Sequence, residues 1–220
     1  MNNEPHDGQS NLWLADTLWR LGAVQFGDFT LGRTTVNSPI YVNLRLLIAH
    51  PTALARSAQI LQSELSTLQA MRNPQIEPFD VVCGIPFGGL LVAEAFSLTA
   101  KVPLVYLHPR KDDLETDVEG IYHPSQTALI MDDLITGGSS INVTANRLRD
   151  EGLFVRDAVV LFDRQSGGRS SLTSNGIRVV AVLTFEVLLT YLHSTGKISD
   201  DWYRKSMAFF EETRHLDPDE

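Results

Sequence analysis

The chain has 220 residues, of which 43% are apolar and 20% charged, and its net charge is −9 at pH 7. This composition is typical of a globular protein, the apolar runs are too short to cross a bilayer, and the acidic balance argues against binding to nucleic acid or to an acidic membrane. Cys83 is the only cysteine, so an intramolecular disulfide is excluded, and since the polar N-terminus lacks the pattern of a secretory signal, the expected location is the cytoplasm.

The first part of the chain predicts a helix, a hairpin and a second helix. Apolar positions at helical spacing within residues 12–26 indicate an opening helix that ends near Gly22. Residues 26–47 alternate in polarity and are rich in β-branched side chains, which favours a hairpin or a short sheet. Pro51 is expected to begin a long amphipathic helix that continues to about Met71.

The rest of the chain alternates between strand and helix patterns. The predicted strands are 79–85, 102–107, 127–131, 154–162 and 177–185, and the predicted helices are 88–100, 139–152, 186–196 and 200–216. This alternation predicts an α/β fold in which a parallel sheet is flanked by helices, with ligands at the carboxyl ends of its strands. We expect residues 1–220 to form a single domain, with an N-terminal part at about 10–50, the core at about 51–195 and a C-terminal helix at about 196–220.

One segment carries the strongest functional pattern. The sequence ALIMDDLITGGSS, residues 128–140, places Asp132 and Asp133 just past a central strand, before a turn of small residues that leads into a helix. The members of that turn are Thr136, Gly137, Gly138, Ser139 and Ser140. Their amides and hydroxyls can surround a phosphate, and the following helix adds its positive end. Two carboxylates beside such a turn suit ribose hydroxyls or a divalent cation carried by the ligand, so the segment predicts a site for a ribose 5-phosphate.

This segment resembles the phosphoribosyl-diphosphate (PRPP) signature of the type I phosphoribosyltransferases, in which two acids and an apolar pair precede Thr-x-Gly-x-Thr/Ser. Three other segments resemble the orotate phosphoribosyltransferases of that family: FTLGRTTVNSPIYVNLR at 29–45, GIPFGGLLVA at 84–93 and DRQSGGR at 163–169. The resemblance extends from about Leu12 to the final helices. It implies the α/β fold of that family, with an N-terminal hood made of a helix and short β elements.

The resemblance also implies a reaction. Members of the family transfer the 5-phosphoribosyl group from Mg²⁺-bound PRPP to N1 of orotate, which gives orotidine 5′-monophosphate and pyrophosphate in pyrimidine biosynthesis. By this resemblance, the candidate catalytic residues are Asp132, Asp133, Arg110 and Lys111. The two acids would hold the ribose hydroxyls and help to hold Mg²⁺, which PRPP itself largely ligates. Family members generally pair, so the expected partner is a second copy of the chain.

Further residues receive roles from the same resemblance. The turn 136–140 would bind the 5-phosphate of PRPP, and Thr136 together with Arg164 would contact orotate. The remaining candidate PRPP ligands, which would face the pyrophosphate, are Gly84, Pro86, Phe87, Gly88, Arg110 and Lys111. Purely structural explanations stay open for some of these residues. Arg164 could pair with Asp163, and the glycines could simply allow a helix to pack tightly on a strand.

The mobile loop of the family is altered in this sequence. The segment RKDDLETDVEG at 110–120 keeps the Arg-Lys and Glu-Gly pairs but lacks the second Lys, the His and the Gly that usually lie between them. Acidic residues take their place, and they would repel pyrophosphate unless a cation bridges the two. Two alternatives to the orotate enzyme therefore stay open. One is a PRPP- or nucleotide-sensing regulator or partner subunit without transferase activity, and the other is a phosphoribosyltransferase for another base.

Overall fold

The computed structural model of the chain describes residues 10–31, 35–108, 118–167 and 169–213. Its helices are α1 (Ser10–Arg20), α2 (Pro51–Ala70), α3 (Gly88–Ala100), α4 (Ser139–Asp150), α5 (Arg169–Ser174), α6 (Phe185–Ser194) and α7 (Asp200–Thr213). Its strands are β1 (Val24–Leu31), β2 (Thr35–Val42), β3 (Val81–Gly84), β4 (Leu104–Leu107), β5 (Val118–Glu119), β6 (Ala128–Ile135), β7 (Asp157–Asp163) and β8 (Arg178–Thr184).

The larger sheet has the strand order β5-β4-β3-β6-β7-β8. Its neighbouring strands are parallel except for the edge pair β4 and β5. Successive residues of β6 belong to two different apolar clusters: Leu129 and Met131 to one, Ala128 and Ile130 to the other. Both faces of the sheet are therefore covered, which explains why its strands read as continuous apolar runs. The predicted α/β fold with a helix-flanked parallel sheet is confirmed.

The N-terminal hood consists of α1 and the antiparallel pair β1 and β2. One apolar cluster contains Leu14 of α1, Ile40 of β2, Val82 of β3 and Phe210 of α7. The hood thus packs on one face of the larger sheet together with the C-terminal helix. The division of the chain into hood, core and C-terminal helix within one domain remains a prediction.

Two of the differences between the predicted and the observed boundaries affect the hood and the acid pair. The second hood strand ends at Val42, and residues Leu44–Ala49 form a 3₁₀-helix whose first turn is capped by the Asn43 side chain, which accepts a hydrogen bond from the Arg45 amide at 3.2 Å. In addition, β6 continues through the two acids to Ile135, since its later residues still pair with β7. The prediction that the acids follow the strand was therefore wrong: they belong to its last half.

Two short elements have no counterpart in the sequence predictions. The edge strand β5 pairs antiparallel with β4 through only two residues, and α5 is a helix of six residues between β7 and β8. Segments this short lack the repeated apolar positions by which a helix or strand is recognised in a sequence. Within the four described ranges, no helix has both the length and the apolar character that a membrane crossing requires.

Candidate functional site

The acid pair lies on the central strand β6, between β3 and β7. Asp132 accepts a hydrogen bond from the Asp133 amide at 2.9 Å, and Asp133 accepts one from the Leu134 amide at 3.0 Å. Neither carboxylate forms an ion pair with a cationic side chain of the described residues. Burial, followed by the neighbouring charge of Asp133, raises the pKa of Asp132 to about 8. The described part of the chain therefore provides no counter-ion for the pair, and ionisation of both acids together is unfavourable until a cation or a ligand binds.

The start of α3 touches the acid pair through two glycines. A Cβ atom at Gly88 would overlap the carboxylate of Asp133, and one at Gly89 would lie 2.6 Å from Cα of Asp132. Only glycine allows the first turn of this helix to approach β6 so closely. Gly84 has a different surrounding: its Cβ would lie 2.6 Å from Cα of Leu90, so this glycine serves the packing of β3 on α3.

The predicted pyrophosphate loop joins β3 to α3 at the carboxyl end of the sheet. Pro86 is half-buried and Phe87 is exposed, and the peptide bond between them is cis. Residue Phe87 stands at the N-cap of α3 without capping the helix through its side chain. The Leu90 amide donates to the carbonyl of Ile85 at 2.8 Å, whereas the amides of Gly88 and Gly89 have no side-chain cap and lie at the part of α3 that contacts the acids.

The small-residue turn after β6 leads directly into α4, as predicted. Gly138 is the N-cap of this helix, with φ +83°, and it provides no side-chain cap. A Cβ at this position would lie 2.7 Å from Leu172 of α5. Gly137 and Gly138 are buried, whereas Ser139 and Ser140 are exposed. The turn therefore presents backbone amides and hydroxyls at the positive end of α4, which is the arrangement that binds a phosphate.

Arg164 lies on the turn that follows β7, and its amide donates to the carbonyl of Ile135 at the end of β6, at 3.1 Å. The side chain is half-buried, and burial lowers the pKa of its guanidinium. It has no hydrogen-bonding or ionic partner among the described residues. The alternative in which it pairs with Asp163 is wrong, because Asp163 pairs with Arg169 instead, at 2.6 Å. A half-buried guanidinium of this kind is suited to a carboxylate ligand.

The remaining predicted residues divide into two groups. Thr136 is half-buried and is the first residue after β6, where the predicted turn begins. Arg110 and Lys111 lie outside the described residues. In the ranges that the structure describes, no group of three or more His, Cys, Asp or Glu side chains could hold a metal ion. A cation at this site would need most of its ligands from the bound molecule.

Two residues of the site were not singled out as site residues from the sequence. Gly89 is not among the candidate ligands predicted from the sequence, yet it lies against Asp132. Arg169 closes the DRQSGGR segment and holds the acid next to Arg164. The spacing of opposite charges in that segment was the available signal, but the sequence alone did not show which arginine pairs with Asp163.

The arrangement as a whole favours a ligand with two anionic ends and hydroxyl groups between them. The uncapped starts of α3 and α4 can each receive an anion. The carboxylates of Asp132 and Asp133 lie on β6, the strand that leads into α4 and against which α3 packs. They can accept hydrogen bonds from hydroxyl groups. Arg164 adds a cationic group on the turn that follows the neighbouring strand β7.

No protein-family model matches the chain. It is 37% identical over 190 residues to the orotate phosphoribosyltransferase of Chlamydia caviae, which covers 83% of this chain and 86% of that protein. It is 36% identical over 201 residues to the uridine 5′-monophosphate synthase of Bos taurus. The aligned region covers 90% of this chain but only 40% of the synthase. The crystal structure of orotate phosphoribosyltransferase from Aeropyrum pernix matches with a TM-score of 0.69 and 30% identity, over 84% of this chain and 99% of that one. The chain thus spans less than half of the bovine protein and most of the other two.

Proposed function

This chain belongs to the orotate phosphoribosyltransferase family, and on that basis we propose that it transfers the 5-phosphoribosyl group of PRPP to N1 of orotate. The products are orotidine 5′-monophosphate and pyrophosphate, and the reaction belongs to pyrimidine biosynthesis. The observation that carries the proposal is the approach of α3 to the acid pair through Gly88 and Gly89. It brings an uncapped helix start to the same two carboxylates that precede the phosphate-binding turn of α4.

PRPP has the groups that this arrangement can receive. Its 5-phosphate would accept hydrogen bonds from the turn 136–140, and its ribose hydroxyls would donate to Asp132 and Asp133. Its pyrophosphate would face the first amides of α3. These amides are already in place and need no reorganisation when negative charge grows on the leaving group, so they stabilise the transition state more than the ground state.

Orotate would bind beside the anomeric carbon of PRPP, through Arg164 and Thr136. The half-buried guanidinium of Arg164 can form two parallel hydrogen bonds with the carboxylate of orotate, which orients the ring and presents N1 to the sugar. Because N1 is already nucleophilic, the protein has to supply orientation and electrostatic stabilisation more than a strong base. Arg110 and Lys111, whose structure lies outside the described residues, would add positive charge at the pyrophosphate.

The site fits a Mg²⁺ ion that arrives with PRPP. Asp132 and Asp133 are adjacent carboxylates without a cationic side-chain partner in the described ranges, and together they provide too few ligands to hold the ion alone. When bound with PRPP, the ion would neutralise charge on the pyrophosphate. The protein's part would be to orient the ribose hydroxyls and to place two negative charges next to that ion.

A second candidate is favoured by the acidic segment at 110–120. Its residues Asp112, Asp113, Glu115 and Asp117 replace the basic residues that the family usually carries there. A protein that binds PRPP through the acid pair and the α4 turn, but does not catalyse transfer, would act as a sensor of PRPP. This candidate predicts binding without turnover, which separates it from the transferase.

The test is to mix purified protein with Mg²⁺, PRPP and orotate, and to follow the loss of orotate absorbance and the release of pyrophosphate. We expect turnover with orotate, and none with uracil, adenine or hypoxanthine, which lack the carboxylate. Arg164→Gln should raise KM for orotate, whereas Arg204→Gln, an exposed arginine on α7, should leave it unchanged. If calorimetry shows PRPP binding but no base is turned over, the transferase proposal is rejected in favour of the sensor. Turnover with another base would show that the acceptor is not orotate.

We also propose that the chain forms a homodimer in the cytoplasm. The dimer is supported by the resemblance to a family that generally pairs, and by an exposed apolar stripe on α3 and its N-cap formed by Phe87, Leu91 and Leu98. The location is supported by the single cysteine, Cys83, which is a buried free thiol. Light scattering coupled to size-exclusion chromatography should give the mass of two chains, and a mass of one chain would reject the dimer.

A further inference from the structure

The last residue of β7 is a buried carboxylate next to the arginine proposed to bind orotate. Asp163 is 2% exposed and follows Phe162 at the end of the strand. Its Oδ2 accepts hydrogen bonds from Nε and from a terminal nitrogen of Arg169, at 2.9 and 2.6 Å. Its Oδ1 accepts one from the Gln165 amide at 2.6 Å. Both oxygens of the carboxylate are therefore engaged.

Two arginines lie close to this single acid in the chain, and only one of them is paired. Arg164 is the immediate neighbour of Asp163 in sequence, and among the described residues its guanidinium has no partner. Arg169 is six residues away and holds the acid. A buried carboxylate that lost its cation would attract any guanidinium that can reach it, because an uncompensated charge in a poorly solvated place is strongly unfavourable. The nearest replacement along the chain is Arg164.

We propose that Arg169 is a positioning residue for the acceptor base: by occupying Asp163, it keeps the guanidinium of Arg164 available to the carboxylate of orotate. This inference rests on the function proposed above, and it adds a residue that contacts neither substrate. It also explains why two arginines flank one short turn. Arg164 binds the ligand, and Arg169 pairs with Asp163, the carboxylate that would otherwise compete with the ligand for Arg164.

The position of Arg169 is fixed by contacts along the rest of α5. Asn142 of α4 donates to Oγ of Ser171 at 2.9 Å, and Asn175 donates to Oδ1 of Asn142 at 2.9 Å. Arg149, near the end of α4, donates to Oδ1 of Asn175 at 2.8 Å. These bonds join α5 to the helix whose start forms the phosphate turn. Arg169 is therefore presented to Asp163 by a helix that is bonded to α4 at Ser171 and through Asn175, the residue that follows it.

The turn itself is held from the other side. Gln165 has a left-handed backbone with φ +54°, and its side-chain oxygen accepts a hydrogen bond from the Glu186 amide at 3.2 Å. A conformation that is uncommon for a residue with a side chain needs such support from its surroundings. With Asp163 and Gln165 both engaged, the backbone of Arg164 between them is defined, and only its side chain is left to the ligand.

The experiment compares Arg169→Ala with Arg169→Lys in the full chain, with orotate and PRPP varied separately. In the alanine variant KM for orotate should rise at least about tenfold, which corresponds to about 1.4 kcal/mol of binding, while KM for PRPP stays within about twofold, a change too small to count as lost binding energy. Lysine keeps the charge that neutralises Asp163, so most of the affinity for orotate should return. A rise in both KM values together, or no rise in either, would overturn the proposal.

A second variant removes the competitor instead of the cation. In Asp163→Asn/Arg169→Ala no buried charge remains to attract Arg164, so KM for orotate should return toward the wild-type value. It also guards against a folding defect, because it removes the unpaired charge that would destabilise Arg169→Ala. If the double variant binds orotate as weakly as Arg169→Ala, competition by Asp163 is not the cause and the proposal fails.

A crystal structure of Arg169→Ala separates this inference from the proposed function. Arg164 bonded to Asp163 would support the positioning role, and Arg164 unchanged from the wild-type arrangement would reject it. Neither result requires the protein to be active. Absence of orotate turnover in the wild-type protein would instead count against the transferase.

Discussion

Two neighbouring strands of the sheet carry acids, and the acids have opposite surroundings. On β7, Asp157 is held by Arg178 and Asp163 by Arg169, so each buried carboxylate faces a guanidinium. On β6, Asp132 and Asp133 are adjacent, and the backbone amides of Asp133 and Leu134 donate hydrogen bonds to them. The carboxylates of one strand are therefore neutralised by arginines, and the other strand carries two adjacent acids without a cationic partner among the described residues.

The difference separates acids that stabilise the fold from acids that bind a ligand. A buried carboxylate with a cationic partner satisfies its own charge and leaves nothing for a substrate. Two partly buried acids without a cationic partner lower the free energy of unfolding when they ionise. The raised pKa of Asp132 shows that its ionisation is unfavourable in the folded chain. Strongly perturbed groups of this kind are concentrated at functional sites. The comparison therefore predicts that changes to the acids of β6 affect activity, while changes to the Asp157–Arg178 pair at the far end of β7 affect stability.

The largest expected effect is on catalysis in Asp133→Asn. Removal of one charged group that acts in the transition state typically lowers turnover by about 100- to 1,000-fold, and we expect a loss of this size with the midpoint of urea unfolding unchanged or raised. Steady-state kinetics and urea titration measure the two quantities. The matched control is Asp201→Asn, an exposed acid on α7, which should change neither. A fall in stability that accounts for the lost activity would contradict the division between the strands.

The close approach of α3 to the acids gives the next prediction. In Gly89→Ala the new methyl group meets backbone atoms of Asp132 and Met131, which cannot move aside, so we expect a loss of about 1–3 kcal/mol in the free energy of unfolding. In Gly88→Ala the obstacle is the carboxylate of Asp133, which can rotate. This second variant should lose less stability but bind PRPP more weakly. Urea unfolding and calorimetric titration with Mg²⁺-PRPP distinguish them, and equal effects on both quantities would contradict the argument.

The pair at the far end of β7 should behave in the opposite way. Among its partners in the described ranges, Arg178→Ala leaves the buried Asp157 with only the Glu77 amide, at 2.9 Å. We expect a loss of about 2 kcal/mol in the free energy of unfolding, because a buried charge has lost its cationic partner. Turnover per folded molecule should be unchanged. The control is Arg156→Ala, whose exposed pair with Glu77 should contribute less than about 1 kcal/mol. Equal losses in the two variants would mean that burial of Asp157 does not matter.

The sequence predicted the sheet and the acid pair because both depend on local patterns. Apolar runs bounded by glycine and polar residues marked β3, β6, β7 and β8, and the acids followed one such run. The N-terminal limit of α4 was also predicted, since a glycine pair followed by two serines is a typical helix start. These features can be recognised within about ten neighbouring residues.

The features that the sequence did not predict depend on contacts between distant segments. The extension of β6 through the acids is set by pairing with β7, and the role of Gly89 is set by a contact with a residue more than forty positions away. The choice of Arg169 over Arg164 as partner of Asp163 depends on the short helix α5. No local pattern carries this information, because each case is decided by how two elements pack.

The last prediction tests the cost of the acid pair directly, through the pH dependence of Asp132→Asn. The pKa of Asp132 is about 8 in the folded chain against an ordinary value of 3.8. The folded state therefore binds this proton more tightly than the unfolded state, and the carboxyl contributes stability that is lost as the pH rises from about 4 to about 8. Asparagine cannot ionise, so the variant should show no such loss. We expect the two proteins to have similar free energies of unfolding at pH 4 and the variant to be more stable at pH 8, as measured by urea unfolding without Mg²⁺. Packing differences between the two side chains do not depend on pH, so a constant difference in stability would assign the effect to packing. A difference that grows with pH would show that ionisation of Asp132 itself lowers the stability of the folded chain.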